Sequence, residues 1–107
     1  EVEVLGSSGD SLLTGSSVAS QSSDLFCGAC GNVADYPSPY IVAPASLAID
    51  GDTNGIFHSK SVFHTNPQVD PWWQVNLGLT ATVSRVIIWN RTDAGGFRLV
   101  DAKIHLK

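Results

Sequence analysis

Pro71-Trp-Trp-Gln-Val-Asn-Leu77 and Val83-Ser-Arg-Val-Ile-Ile-Trp-Asn90 are the stretches on which the fold turns. The first alternates apolar and polar after its Trp pair, and the second is dense in β-branched residues. Both patterns suit a pleated strand with a buried face. On the C-terminal side, Phe97 to Leu106 alternates again as Phe-Arg-Leu-Val-Asp-Ala-Lys-Ile-His-Leu and predicts a further strand. On the N-terminal side, Glu1-Val-Glu-Val-Leu5 predicts a half-exposed strand that Gly6 to Asp10 breaks. Short strands between Gly-containing turns argue for an all-β sandwich or barrel. Of the two Trp, at least one packs in the core, because both open a strand beside Val75 and Leu77.

The remaining segments are less regular. The Ser-rich run from Gly15 to Asp24 predicts a surface strand or loop with weak packing, and 25–45, with its Cys, Pro and Gly, predicts a long irregular excursion. Pro44 to Asp50 can make one helical turn, followed by a tight turn through Gly51-Asp-Thr-Asn-Gly55.

A chain of 107 residues is one domain's length, and 43% hydrophobic against 15% charged residues allows a core without a helical composition. The formal net charge is −4, and the basic residues Lys60, Arg85, Arg91, Arg98, Lys103 and Lys107 are scattered. No stripe neutralises phosphates, so nucleic acid is excluded as a partner. No apolar run approaches the roughly 20 residues that span a bilayer, so membrane insertion is not expected. The start lacks a signal peptide's basic and apolar regions, which predicts a mature or excised piece if the protein is secreted. Cys27 and Cys30 lie in a Cys-Gly-Ala-Cys loop, where Gly28 and Gly31 favour a small loop-closing disulfide over a helix-borne redox motif.

His64, Arg91, Asp93 and Arg98 flank the best strands. Arg offers planar donors to adjacent hydroxyls, His adds one donor or acceptor, and Asp93 is spaced to orient both guanidinium groups. Ordinary surface residues with one local ion pair would read the same from composition alone. The spacing is more specific: 26 residues separate His64 from Arg91, then come Thr92, Asp93, four residues and Arg98. That pattern, with Ala45-Ser-Leu-Ala-Ile-Asp-Gly51, Asn54-Gly-Ile-Phe-His-Ser59, Pro71-Trp-Trp-Gln-Val-Asn-Leu-Gly78 and Asn90-Arg-Thr-Asp93 in order, resembles the F-type lectin (fucolectin) family of F5/8 type C (discoidin)-like domains. The likeness runs from about Leu13 to Lys107.

The resemblance implies a discoidin-like β-sandwich jelly roll, galactose-binding-domain-like, that binds terminal L-fucose on glycans. It assigns His64, Arg91 and Arg98 to the sugar's oxygens, Asp93 to their support, Phe57 to a pocket for the fucose methyl, and His58 to a place beside it. The family's adjacent cysteine pair after the Asp is replaced here by Ala94 and Gly95. The resemblance further implies a secreted, extracellular protein binding fucosylated glycans or glycoproteins, as an oligomer or tandem array, in roles such as innate immunity, cell adhesion, gamete recognition or toxin targeting.

Asp50-Gly-Asp-Thr-Asn-Gly55 opens like an EF-hand loop, yet the twelfth position is Ser61 rather than Glu and no amphipathic helices flank it. The family instead places Ca2+ here, which by resemblance would be held by Leu47 and Asp52 through backbone oxygens, the Asp50 carboxylate, Ser61, and a Glu from a closing strand. Glu1-Val-Glu-Val matches that closing strand. Residues 1–10 are therefore expected to be the end of a preceding copy or a closing strand plus linker, and 11–107 an F-type lectin domain lacking its C-terminal portion.

No enzyme is expected. The acids are turn residues or arginine-paired, so no two carboxylates face each other across a sugar, and no nucleophile elbow occurs. The rival is a discoidin-like adhesion module binding protein or lipid through loop tips, for which Leu25, Phe26, Tyr36 and Tyr40 are the exposed candidates. The Asn90-Arg-Thr92 sequon is expected to stay unmodified, because a glycan there would lie against the proposed site.

Overall fold

The computed structural model describes residues 1–27 and 40–107, with the backbone alone for Phe26, Cys27, Tyr40, Ile41, Val42 and His58. Among the described residues six strands form three antiparallel pairs: β1 (Val2–Leu5) with β6 (Arg85–Ile88), β2 (Val18–Gln21) with β5 (Trp73–Asn76), and β3 (Leu25–Cys27) with β4 (Tyr40–Val42). Single 3-10 turns occupy Ala45–Ala48, Phe57–Ser59 and Gly96–Leu99, and no α-helix occurs among the described residues. No helix among them is long and apolar enough to cross a membrane.

Alternation sets the registers. Val2 pairs with Ile88 and Val4 with Val86, so both β1 valines face inward. They form a core with Ala48, against which Leu12, Phe63, Trp73, Val75, Leu77 and Val86 pack. The Phe63 and Trp73 rings lie 5.7 Å apart, and the Trp73 indole N–H donates to the Ala45 carbonyl at 3.0 Å. Trp73 is thus the core member of the Trp pair, while Trp72 is half exposed. Trp73→Phe keeps the ring packing but leaves that carbonyl without its donor. It is expected to cost about 1 kcal/mol, measurable by denaturant titration.

A second, smaller cluster joins Ala43 and Phe57, with Leu25 and Val62 packed on it. It lies under the 3-10 turn Phe57–Ser59. Leu25 is consequently a half-buried packing residue and not an exposed loop tip. The side chains of Phe26 and Tyr40, and all of Tyr36, lie outside the described residues.

Two expectations are corrected. The strand over 97–106 does not form: Gly95, at φ 75°, reverses the chain into the turn Gly96–Leu99, and no strand follows. An alternating pattern supplies a buried face only where a neighbouring ladder satisfies the backbone, and no partner strand meets this segment among the described residues. Phe97, Val100, Ile104 and Leu106 are exposed as a result. The predicted irregular stretch 25–45 also contains paired strand, with Leu25 opposite Val42. The expected Cys27–Cys30 disulfide lies outside the described residues. The Ser-rich run contributes β2, paired along its whole length to β5.

Candidate functional site

Phe57 is the centre of the site. The residue is 8% exposed, packed with Ala43, Leu25 and Val62, and two polar groups approach its ring. The Arg91 guanidinium carbon stands 4.9 Å over the ring centroid. The His64 and Phe57 rings meet in a T-shaped arrangement, centroids 6.0 Å apart and planes at 78°. An aromatic face attracts a cation, and a T-shaped ring pair is favoured, so both groups are held at a defined distance.

Asp93 fixes the guanidinium from the other side. Arg91 Nε donates to Asp93 Oδ1 at 2.5 Å and Nη2 to Oδ2 at 3.2 Å, a two-pronged pair. Asp93 Oδ2 also accepts the Phe57 backbone N–H at 3.2 Å, which ties arginine, carboxylate and aromatic platform into one unit. The arginine hydrogen bond holds the Asp93 carboxyl well below the usual carboxylate range, helped by the Ala94 and Phe57 amides. The sign is that of a depressed acid: the stabilisation is complete above the ordinary value of 3.8 and is lost only as pH falls through the lower folded value. The Asp93 carboxyl carbon is therefore expected to show no titration between pH 8 and 4 in a carbon-13 NMR series.

The loop carrying these groups is locked to its surroundings. Asn90 Nδ2 donates to the Gly96 carbonyl at 2.8 Å while its Oδ1 accepts the Arg91 N–H at 2.8 Å. Both amide atoms of the sequon are thus engaged inside the loop. Thr92 N–H donates to the Gly55 carbonyl at 2.8 Å, and a Cβ on Gly55 would lie 2.6 Å from the Asn90 oxygen. Sequence reasoning missed Asn90 and Gly55 as site residues, although the sequon marked the first and the Asn-Gly turn the second.

His64 is held through its backbone, its N–H on the Ala43 carbonyl (3.0 Å) and its C=O on the Leu25 N–H (3.1 Å). Its Nδ1 lies 2.5 Å from the Thr65 carbonyl, an oxygen that can only accept, which assigns Nδ1 as the donor and leaves Nε2 as the acceptor of the neutral ring. Arg98 departs from expectation. Asp93 orients Arg91 alone, whereas the Arg98 guanidinium lies 5.9 Å from the Phe97 centroid and against Gly95, with no hydrogen-bond partner among the described residues. The two glycines at 95 and 96 turn the chain there, which carries Arg98 away from the carboxylate. The His58 side chain lies outside the described residues.

Of the residues proposed for the cation, Glu1, Asp50, Asp52 and Ser61 meet at the 50–56 loop. Asp50 Oδ1 accepts the Asp52 N–H (2.9 Å), Asp52 Oδ1 the Asn54 N–H (2.8 Å), and Asn54 Oδ1 the Ile56 N–H (3.0 Å), a run of consecutive side-chain-capped turns. Ser61 is fully buried, its hydroxyl shared between the carbonyls of Asn54 and Ile56. Leu47 lies half-buried in the turn Ala45–Ala48. Glu1 reaches the loop from β1, its Oε1 accepting the Gly51 N–H at 3.3 Å. Burial raises the Glu1 carboxyl above its ordinary value of 4.5, and the neighbouring Asp50 adds to the rise against the opposing pull of the Glu1 amine and Gly51. Among the described residues no three His, Cys, Asp or Glu side chains converge for a metal, so any ion here would lean on backbone and hydroxyl oxygens.

Comparison with known proteins identifies the family. The profile of the NedA-like, galactose-binding domain family, of F5/8 type C, matches residues 47–107. Fucolectin of Anguilla anguilla is 40% identical over 62 residues, 58% of this chain and 39% of the relative. Fucolectin-6 of Anguilla japonica is 40% identical over 60 residues, covering 56% and 32%, and Fucolectin-4 of that species 41% over 63 residues, covering 59% and 35%. The chain thus spans about a third of the length of these curated relatives. No solved structure gives a significant match. The chain belongs to the F5/8 type C family of NedA-like galactose-binding domains, an all-β, discoidin-like fold.

Proposed function

We propose that this domain is a calcium-stabilised lectin module that binds the terminal L-fucose of glycans and performs no catalysis. The observation that carries the reading is the pre-oriented trio gathered on one aromatic ring: Arg91 clamped by Asp93 and stacked on Phe57, with His64 T-shaped to the same ring. Neutral sugars are gripped by fixed planar donors and a matching acceptor, and the outward guanidinium N–H groups of Arg91 with His64 Nε2 supply these. The 6-deoxy methyl group would rest on the Phe57 surface, a preference worth about 1 kcal/mol. Arg98 closes the site if its unengaged guanidinium swings from Phe97 toward the sugar. The likeness to fucolectins supports the choice of fucose. The nearby carboxylate, Asp93, is occupied by Arg91, which leaves no acid–base pair for glycoside cleavage at this site among the described residues.

The calcium part of the reading rests on Glu1. Its Oε2 is buried with no hydrogen-bond partner among the described residues, beside the Asp50 carboxylate, an arrangement that a hard cation would satisfy. Glu1, Asp50, Asp52, Leu47 and Ser61 are the residues that would hold Ca2+, which would neutralise the paired carboxylates and tie β1 to the 50–56 loop. A carboxyl raised by burial stabilises the metal-free fold below 4.5, and that contribution is lost as pH rises through the folded value. Calcium is therefore expected to raise the Tm clearly at pH 7.5 and little at pH 4.5, by scanning calorimetry with and without chelator. Shallow monovalent contacts imply low affinity, so several copies, as an oligomer or tandem array, would supply avidity on fucosylated surfaces outside the cell. Retention on immobilised L-fucose, with elution by free fucose and not by glucose, tests the sugar assignment, and flow-through under calcium would refute it.

A further inference from the structure

We infer that Gln21 is the positioning residue that sets His64 against Phe57; the inference rests on the fucose reading for one of its two readouts. Gln21 ends β2, opposite Trp73. Its side-chain nitrogen lies 2.7 Å from Asp24 Oδ1, 3.2 Å from the Ala43 carbonyl and 3.3 Å from the His64 carbonyl. One amide nitrogen therefore joins the chain leaving β2, the chain leaving β4, and His64. An amide has two N–H groups for these three acceptors: the charged Asp24 takes the shortest contact, and the two carbonyls share the rest.

The need for a donor at this point is geometric. The His64 backbone is already fixed by Ala43 and Leu25, and this brings the carbonyls of residues 43 and 64 toward one place. Each of these carbonyls already accepts one backbone N–H, and the Gln21 amide adds a second donor that both share, offsetting the repulsion of their converging dipoles. Ala43 is buried and sits at φ 56°, a conformation that a non-glycine residue keeps only when its surroundings impose it. The amide orientation follows as well. Gln21 Oε1 is buried with no partner among the described residues, and the flipped amide would set that oxygen against three acceptors. The side chain keeps its nitrogen inward although its oxygen gains nothing there.

Without the amide the two carbonyls separate, the His64 backbone rotates, and the ring loses its Thr65 hydrogen bond and its T-shaped contact with Phe57. Gln21→Met keeps length and volume and removes the donors. It is expected to weaken L-fucose binding about tenfold, the scale of one lost hydrogen bond, and to shift the His64 ring nitrogens in long-range nitrogen–proton NMR away from the Nδ1–H tautomer. Asp24 is exposed, so Asp24→Ala should fold even where Gln21→Met does not, and it should shift both readouts the same way by a smaller amount. Trp73→Phe serves as the structural control, lowering Tm while leaving His64 and the affinity unchanged. If the native protein binds no fucose, the lectin reading fails and the His64 tautomer signal alone decides the role of Gln21. An unaltered His64 signal in both variants, with Tm lowered as in the control, would overturn the inference.

Discussion

Arg91→Ala is expected to weaken L-fucose binding by about 100-fold or more, enough to erase saturation at millimolar sugar, since hydrogen bonds to a charged group contribute about 1.5–3 kcal/mol each. The loss has two sources. The donors vanish, and Asp93, freed from its two-pronged partner, is left as a carboxylate bound to the Phe57 N–H where the sugar hydroxyls would approach. Arg91→Lys should recover little, because an ammonium cannot match both carboxylate oxygens and still lie flat over Phe57 at 4.9 Å. Arg91 is a partly exposed group, so Tm should move little in either variant. A large fall in Tm would mean that the clamp serves folding and not recognition.

Gly55→Ala is expected to be strongly damaging for so small a substitution. Its new methyl would stand 2.6 Å from the Asn90 carbonyl and 2.8 Å from both the Thr92 nitrogen and Cγ2. Backbone atoms cannot yield as a flexible side chain would, so the 90–96 loop must shift bodily. Overpacking of this kind costs about 1–3 kcal/mol, which for a domain of this size lowers Tm by roughly 4–8 °C per kcal/mol. The same shift would carry Arg91 off Phe57, so affinity and stability should fall together. Gly15→Ala is the comparison: nothing lies within 4 Å of its Cβ position, and it should be neutral or slightly stabilising. Thermal melts with fucose titration on the two variants check both effects.

The strands Trp73–Asn76 and Arg85–Ile88 were legible because their patterns have the period of a pleat and each found a partner of matching register. The stretch 97–106 carries the same period and is not a strand, since periodicity specifies a face but cannot supply a neighbouring ladder. The site divides in a similar way. His64, Arg91, Asp93 and Phe57 were named from spacing and resemblance, and the fold brings them together; Arg98 was expected on the same carboxylate and instead lies over Phe97. Nothing in linear order indicates that Gly55 meets Asn90, or that Gln21 bridges residues 43 and 64. Those contacts cross 22 to 43 positions and exist only once the strands are paired. The Glu1 carboxylate was tied to the 50–56 loop by resemblance alone, and its approach to Gly51 follows from the pairing of β1 with β6.

Calorimetric titration of the folded domain with L-fucose in calcium tests the lectin assignment most directly. Saturable heat at millimolar sugar, absent with glucose and lost in Arg91→Ala, is the predicted result. A folded protein that gives no heat at tens of millimolar fucose would contradict it, and the trio on Phe57 would then have to be assigned to another ligand.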